Sequence, residues 1–293
     1  MTVHYRARHT TRYTYEEPVA QCQTEVRLRP REDRRQQVRD WKLQIEPQPA
    51  RLETRLDYFG NGVISFAVLE PHDRLTITAT GDIAVTAPNQ LLPSVTGPWE
   101  EARELLAAPH DPLTLQASEF RWESPFVPWA AELRTYARQV FAPGRPLAEA
   151  AHELNHRIYY EFEYAPKSTS IETPLAEVVR TRKGVCQDFA HVMIGALRSL
   201  GLAARYVSGY LKSGNQYTGA EASHAWVSVF LPGYGWLDLD PTNNVIPTDG
   251  HVTLAWGRDY SDVTPVRGIS LGGGGQLVDV EVRVKPVVGV PPG

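Results

Sequence analysis

Along this 293-residue chain the hydrophobic period changes once, and that change restricts the fold to strands first and helices after. From Val3 to about Val85 the period is close to two. Val3, Tyr5 and Ala7 alternate with His4, Arg6 and Arg8, and Cys22, Thr24, Val26 and Leu28 alternate with glutamine and charged residues, as in strands with one buried face. Further strands are predicted at Trp41 to Ile45, Val63 to Leu69 and Leu75 to Val85. Asn61-Gly62 reads as a hairpin turn, because both residues tolerate positive φ. Residues 1–90 are thus expected to form an all-β sandwich or barrel.

A connection rich in Pro and Trp occupies 91–128, with a short helix predicted at Trp99 to Ala107. Helical spacing then takes over at Trp129 to Phe141, at Pro146 to Ile158, and in a third helix with Thr173 as N-cap and Pro174 at its first position. In a fourth, Phe189, Val192, Met193, Ala196, Leu197 and Leu200 recur at helical spacing and Gly201 follows as the cap. Strands are expected at Ala203 to Leu211, His224 to Leu231 and Trp236 to Asp240. The core therefore spans 129–270, and 271–293 read as a Gly-rich tether, one strand and a tail. The fold class is α+β.

A net charge of -4 and a pI near 6.2 argue against a general nucleic-acid or anionic-membrane binder. The run Arg27, Arg29, Arg31, Arg34, Arg35 and Arg39 is expected to be a solvated strand end. The opening MTVHYRARHTTRYTY alternates polar with apolar residues and resembles neither a signal peptide nor a membrane helix, so a cytoplasmic location is expected. Two cysteines, at 22 and 186, make no disulfide framework and no CxxC metal pair. Cys22 falls on the apolar face of a strand and is expected to be a small buried hydrophobe.

Cys186 is different, because Gly184-Val185 places it where a helix begins and unpaired N–H groups favour an anion. A thiolate is favoured there, although a plain buried thiol is the competing reading. Asp188 lies two helical residues on, so it points away and is expected to satisfy first-turn N–H groups. In ASHAWVSVFLPGYGWLDLDPTNN, pairing of Phe230 with Trp236 would make His224 and Asp240 diagonal neighbours on one face. A register shifted by one would separate them. A cysteine at a helix start with His and Asp on a hairpin suits a thiolate nucleophile, a proton-shuttling base and an orienting carboxylate.

At these residues the sequence resembles the bacterial transglutaminase-like proteins: GVCQDFAH, SHAWVSVFLPGYGW and DLDPTNN look like their three core motifs. HTTRYTYEEPV, RLRPRE and DYFGNGV resemble the β-domain that precedes the core in many bacterial members. The resemblance implies a papain-like core with Cys186 as nucleophile, His224 as general base and Asp240 as orienting carboxylate, Asp238 being two residues too early. It implies attack on a carboxamide or peptide carbonyl and a thioester intermediate, with water or an amine as acceptor. Gln187 and Tyr164 are candidate oxyanion donors. Trp226 and Trp236 are candidates to line the substrate pocket, with core packing as their alternative. A Gly-containing loop, Lys212 to Ala222, could screen the site.

The expected partner is a peptide or protein amide. Neither cofactor nor metal is expected, since no EF-hand-like spacing occurs, and no motif sets an oligomeric state. Alternatives are an arylamine acetyltransferase or peptide N-glycanase with the same core, a catalytically silent interaction module and, weakest, a metal-binding protein.

Overall fold

The N-terminal half is organised by one long strand. In a computed structural model describing residues 1–88, 96–214 and 216–287, β1 (Thr2–Val26), β2 (Gln36–Glu46), β3 (Arg51–Leu56), β4 (Gly62–Val68) and β5 (His72–Thr86) form an antiparallel sheet in the order β2-β5-β1-β4-β3. β1 changes partner part-way. Thr2–Thr14 runs against β5 and Cys22–Val26 against β4, with an irregularity between Thr14 and Val19. The break curls the sheet, so that Ile45, Ile77 and Ala79 meet Val26, Phe66 and Val68 in one core. Cys22 is buried in that core, as its alternation predicts. In the hairpin between β3 and β4 the positive φ falls on Gly60 (+74°), not on Asn61 or Gly62. Asp57 Oδ1 accepts the Phe59 and Asn61 N–H groups and closes the turn.

The middle of the chain is helical: α1 (Trp99–Ala107), α2 (Pro112–Ser118), α3 (Ala131–Arg138) and α4 (Leu147–Glu161) precede β6 (Glu163–Tyr164), α5 (Leu175–Thr181), β7 (Lys183–Gly184) and α6 (Cys186–Ser199). The predicted connection thus holds two helices as well as its stretch at 91–95, which lies outside the described residues. α5 starts at Leu175 with Pro174 as its cap. Thr173 is not the N-cap; its hydroxyl accepts the Ser170 N–H instead. α6 is buried on every side from Asp188 to Ser199. Near its end the Arg198 guanidinium donates to the carbonyls of Phe120, Trp122, Ala204 and Arg258, which makes a buried cation tolerable without a carboxylate bond.

α6 packs on a second antiparallel sheet of β8 (Ala204–Leu211), β9 (His224–Leu231), β10 (Gly235–Leu239) and β11 (His251–Gly257), ordered β10-β9-β8-β11. After the short α7 (Tyr260–Val263), the chain returns to its beginning. β12 (Val266–Gly272) pairs with Val19–Val26 of β1 and β13 (Gln276–Pro286) with Tyr5–Tyr15, completing a seven-stranded sheet. The expected Gly-rich tether is therefore the turn between these strands, with Gly272, Gly273 and Gly274 all at positive φ; residues 288–293 of the expected tail lie outside the described residues.

The two sheets share a core, since Tyr5, Ala7, Ile83 and Val85 pack with residues of α6 and β8. Part of the arginine run lies in this contact. Arg29, Arg34 and Arg39 are exposed as expected, but Arg31 is half-buried: its guanidinium stacks 3.4 Å from the Trp256 ring centroid, and burial pushes its pKa down to about 10.

Candidate active site

Cys186 is the first residue of α6, and the turn before it is held rigidly. Asp188 Oδ2 accepts the Val185 N–H at 2.9 Å and the Thr169 hydroxyl at 2.7 Å, so its carboxylate closes the N-terminus through the N-cap N–H, not through the first-turn N–H groups expected from its spacing. β6 and β7 pair in parallel, placing Tyr164 opposite Gly184 and therefore beside the cysteine turn.

The register on the facing sheet is the one that brings histidine and aspartate together. Trp236 pairs with Phe230 and Asp238 with Ser228. β10 ends at Leu239, and Asp240 is fixed just beyond it by a bridge to Val245. His224 Nε2 donates to Asp240 Oδ2 at 2.9 Å, and both residues are buried. Oδ2 also accepts from His251 Nε2 at 3.1 Å and from Asn243 Nδ2 at 2.9 Å, while Oδ1 accepts the Thr242 and Asn243 N–H groups. Asp238 instead accepts from the Ser228 hydroxyl.

Burial alone would push the His224 pKa down, but the charge of Asp240 and then that of Cys186 override it and raise it to about 10. Burial would raise Asp240, yet His224 and His251 hold its carboxyl far below the usual carboxylate range. With Nε2 committed to Asp240, Nδ1 is the nitrogen left for the adjacent Cys186 thiol; no other group bonds it. Tyr164, pushed up to about 12 by burial and then by Cys186, lies at the same place. Tyr206 is raised further, by burial and then by Cys186.

Of the other candidates, Gln187 sits half-buried in the first turn of α6. Trp226 is not a solvent-facing substrate platform: it is fully buried, with its ring 6.3 Å from that of His224 and 5.3 Å from that of His251. It fits because residue 209 is glycine, where a Cβ would collide with the indole and with the Val252 carbonyl. Trp236 packs on Phe120 and Phe230. The loop before His224 is pinned by Ser213 to Val284, by Thr218 to Asn243 and by Glu221 to Val282. Gly219, at φ +86°, passes so close to His224 that a Cβ would lie 3.1 Å from Nδ1. Among the described residues, no group of three or more His, Cys, Asp or Glu side chains is placed to hold a metal, and no helix is long and apolar enough to cross a membrane.

Sequence reasoning missed His251, Asn243 and Tyr206. Asn243 follows the Asp-Pro-Thr triplet closely enough to be found from the turn chemistry of Asx residues. His251 and Tyr206 give no local signal, because only strand pairing brings them to Asp240 and Cys186.

Comparison with known proteins agrees with this architecture. Residues 5–84 match the bacterial transglutaminase-like N-terminal region, and 134–241 match the transglutaminase-like superfamily core. An uncharacterised protein of Mycobacterium tuberculosis is 39% identical over 98% of this chain and 94% of its own length. A protein-glutamine gamma-glutamyltransferase of Pseudomonas aeruginosa is 31% identical over 41% of this chain and 19% of its own. The crystal structure of a candidate cysteine protease from Cytophaga hutchinsonii shares the fold, with a TM-score of 0.77 at 20% identity over 99% of this chain and 92% of that one. The chain belongs to the transglutaminase-like superfamily, with the bacterial N-terminal β-region in front of the core.

Proposed function

We propose that this chain transfers acyl groups from amide or peptide carbonyls through a thioester on Cys186. Membership of the superfamily supports acyl transfer or proteolysis in general terms; the residue roles rest on one observation. His224 is held by a buried carboxylate through one nitrogen and is left with the other beside a thiol at the start of a helix. In this reading the thiolate attacks the carbonyl, and first-turn N–H groups of α6 and the Tyr164 hydroxyl receive the oxyanion. His224 Nδ1–H protonates the leaving amine as the C–N bond breaks. It then takes a proton from the incoming water or amine, which displaces the thiolate.

The pinned loop over His224 supports a restricted substrate, a particular peptide, isopeptide or side-chain amide, with water as the acceptor. Arylamine acetyl transfer and glycan-amide cleavage use the same steps on other acyl donors. A cytoplasmic location belongs to the same proposal. Iodoacetamide mapping at neutral pH should modify Cys186 and spare Cys22, whose thiol is buried and raised in pKa by that burial. Incubation with a peptide and glutamine-substrate library, with and without a primary amine, should give thioester and hydrolysis products by mass spectrometry that Cys186→Ala abolishes. Preferential labelling of Cys22 or the lack of any thioester would overturn the reading. Amine incorporation into many unrelated glutamines would replace its hydrolytic version with transamidation.

A further inference from the structure

Asp240 carries a second histidine that the mechanism above does not use. A carboxylate only accepts hydrogen bonds, so Nε2 of His251 bears the proton that reaches Oδ2 at 3.1 Å. The ring has little freedom to turn away. Trp226 packs on it edge to face at 5.3 Å, and Tyr217 does so at 5.3 Å as well. His224 and His251 thus grip the same carboxylate oxygen, with the Trp226 indole beside both rings.

The strand that presents His251 is held from outside the core. β11 is the edge of its sheet, bonded to β8 on one side only, and an edge strand leaves backbone groups to be satisfied. Two side-chain amides from the N-terminal region do this, beside the Arg31 backbone N–H, which also donates to the Thr253 carbonyl at 3.0 Å. Gln36 donates to the Thr253 carbonyl at 2.7 Å and accepts the Thr253 N–H at 2.9 Å. Asn61 donates to the Trp256 carbonyl at 2.9 Å and accepts the Trp256 N–H at 3.0 Å. Both amides are buried, and each presents a donor and an acceptor to the strand as a neighbouring strand would.

We infer that His251 is a positioning residue for Asp240, kept in place by the N-terminal β-region through Gln36, Asn61 and β11. The inference rests on the proposed roles of Cys186, His224 and Asp240. With Oδ2 also held by His251 and Asn243, the carboxylate keeps its aim at His224 when that ring gives its proton to the leaving group. The N-terminal region then contributes to the chemistry without touching substrate.

The test uses the full-length chain, with iodoacetamide as the probe of Cys186 and thermal melting as the control for folding. His251→Phe should slow alkylation at pH 7 by about tenfold, and His251→Gln, which keeps an N–H donor, should recover most of that loss. In an Asp240→Asn background the same His251→Phe change should matter less than about twofold, because residues acting through one group are not additive. Gln36→Ala, more remote from the thiol, should slow alkylation by about threefold if β11 transmits the constraint. Full additivity of His251→Phe with Asp240→Asn, or an unchanged rate in His251→Phe, would overturn the inference. An unchanged rate in Gln36→Ala would overturn its N-terminal part, and that arm stands even if His251→Phe does not fold. If Asp240→Asn alone leaves alkylation unchanged, the proposed triad falls first and the role of His251 falls with it.

Discussion

His224 and Asp240 are buried together, so each sets the charge of the other, and the pair makes stability depend on pH in a definite direction. His224 has its pKa raised from 6.5 to about 10 in the fold. Its contribution is therefore fully present below about pH 6.5 and is lost as pH rises through 10. Asp240 is depressed below its ordinary 3.8, so its contribution is present above that value and is lost in acid. The two overlap fully between about pH 4 and 6.5. The melting temperature of the native protein minus that of Asp240→Asn should be greatest in that window and shrink toward pH 10; a difference that grows with pH would mean that His224 is neutral in the fold. Asp238 accepts from Ser228 rather than from His224, so Asp238→Asn should leave the Cys186 alkylation rate closer to native than Asp240→Asn does.

α6 is set as much by the turn before it as by its own residues. Leu197, Ile194, Met193 and Ala190 are fully buried, which drives the helix into the core but says nothing about where its first residue points. That is decided by Asp188, whose carboxylate ties Val185 and Thr169 to the helix start. The turn is tight: a Cβ on Gly184 would lie 2.7 Å from Asp188 Oδ2. Asp188→Ala should destabilise the protein by about 1 kcal/mol, the usual cost of a lost cap. It should also slow Cys186 alkylation, because the thiol loses its fixed direction. Melting and alkylation measured on the same sample would check this, and a destabilised protein with native thiol reactivity would show that the cap is structural only.

The N-terminal and C-terminal ends of the chain form one sheet, so the β-region is built from both. Val282 and Val284 of β13 are buried in the core shared with Tyr5, Ala7 and α6, and β13 also anchors the loop over His224 through Glu221 and Ser213. Truncation before Gln276 should therefore do more than shorten a tail. Removing two buried valines alone costs about 3–6 kcal/mol on transfer grounds, a large part of the stability of an ordinary domain. The truncated chain should melt well below the native one or aggregate, as read by calorimetry and light scattering. A native-like melt would mean that the β-region closes without β13.

Much of this was legible from local pattern. The period-two stretch predicted β1, β2, β4 and β5, and helical spacing with Gly201 predicted α6 closely, because in both cases the burial of one face is written every two or every three to four residues. The register that joins His224 to Asp240 could be reasoned from Phe230 and Trp236, since a hairpin's pairing follows its turn. Other features carry no such mark. Whether Trp226 faces substrate or core depends on the space left by Gly209 and on two histidines from different strands. The glycine run at 272–275 reads as a tether until β12 and β13 are paired with β1, more than two hundred residues away in sequence. Arg31 looks solvated until Trp256 stacks on it, and His251 is one histidine among nine until β11 is docked by Gln36 and Asn61. Periodicity records which way a side chain points along its own strand or helix. What it meets there is settled by long-range pairing and packing, which alone bring distant segments within hydrogen-bonding distance.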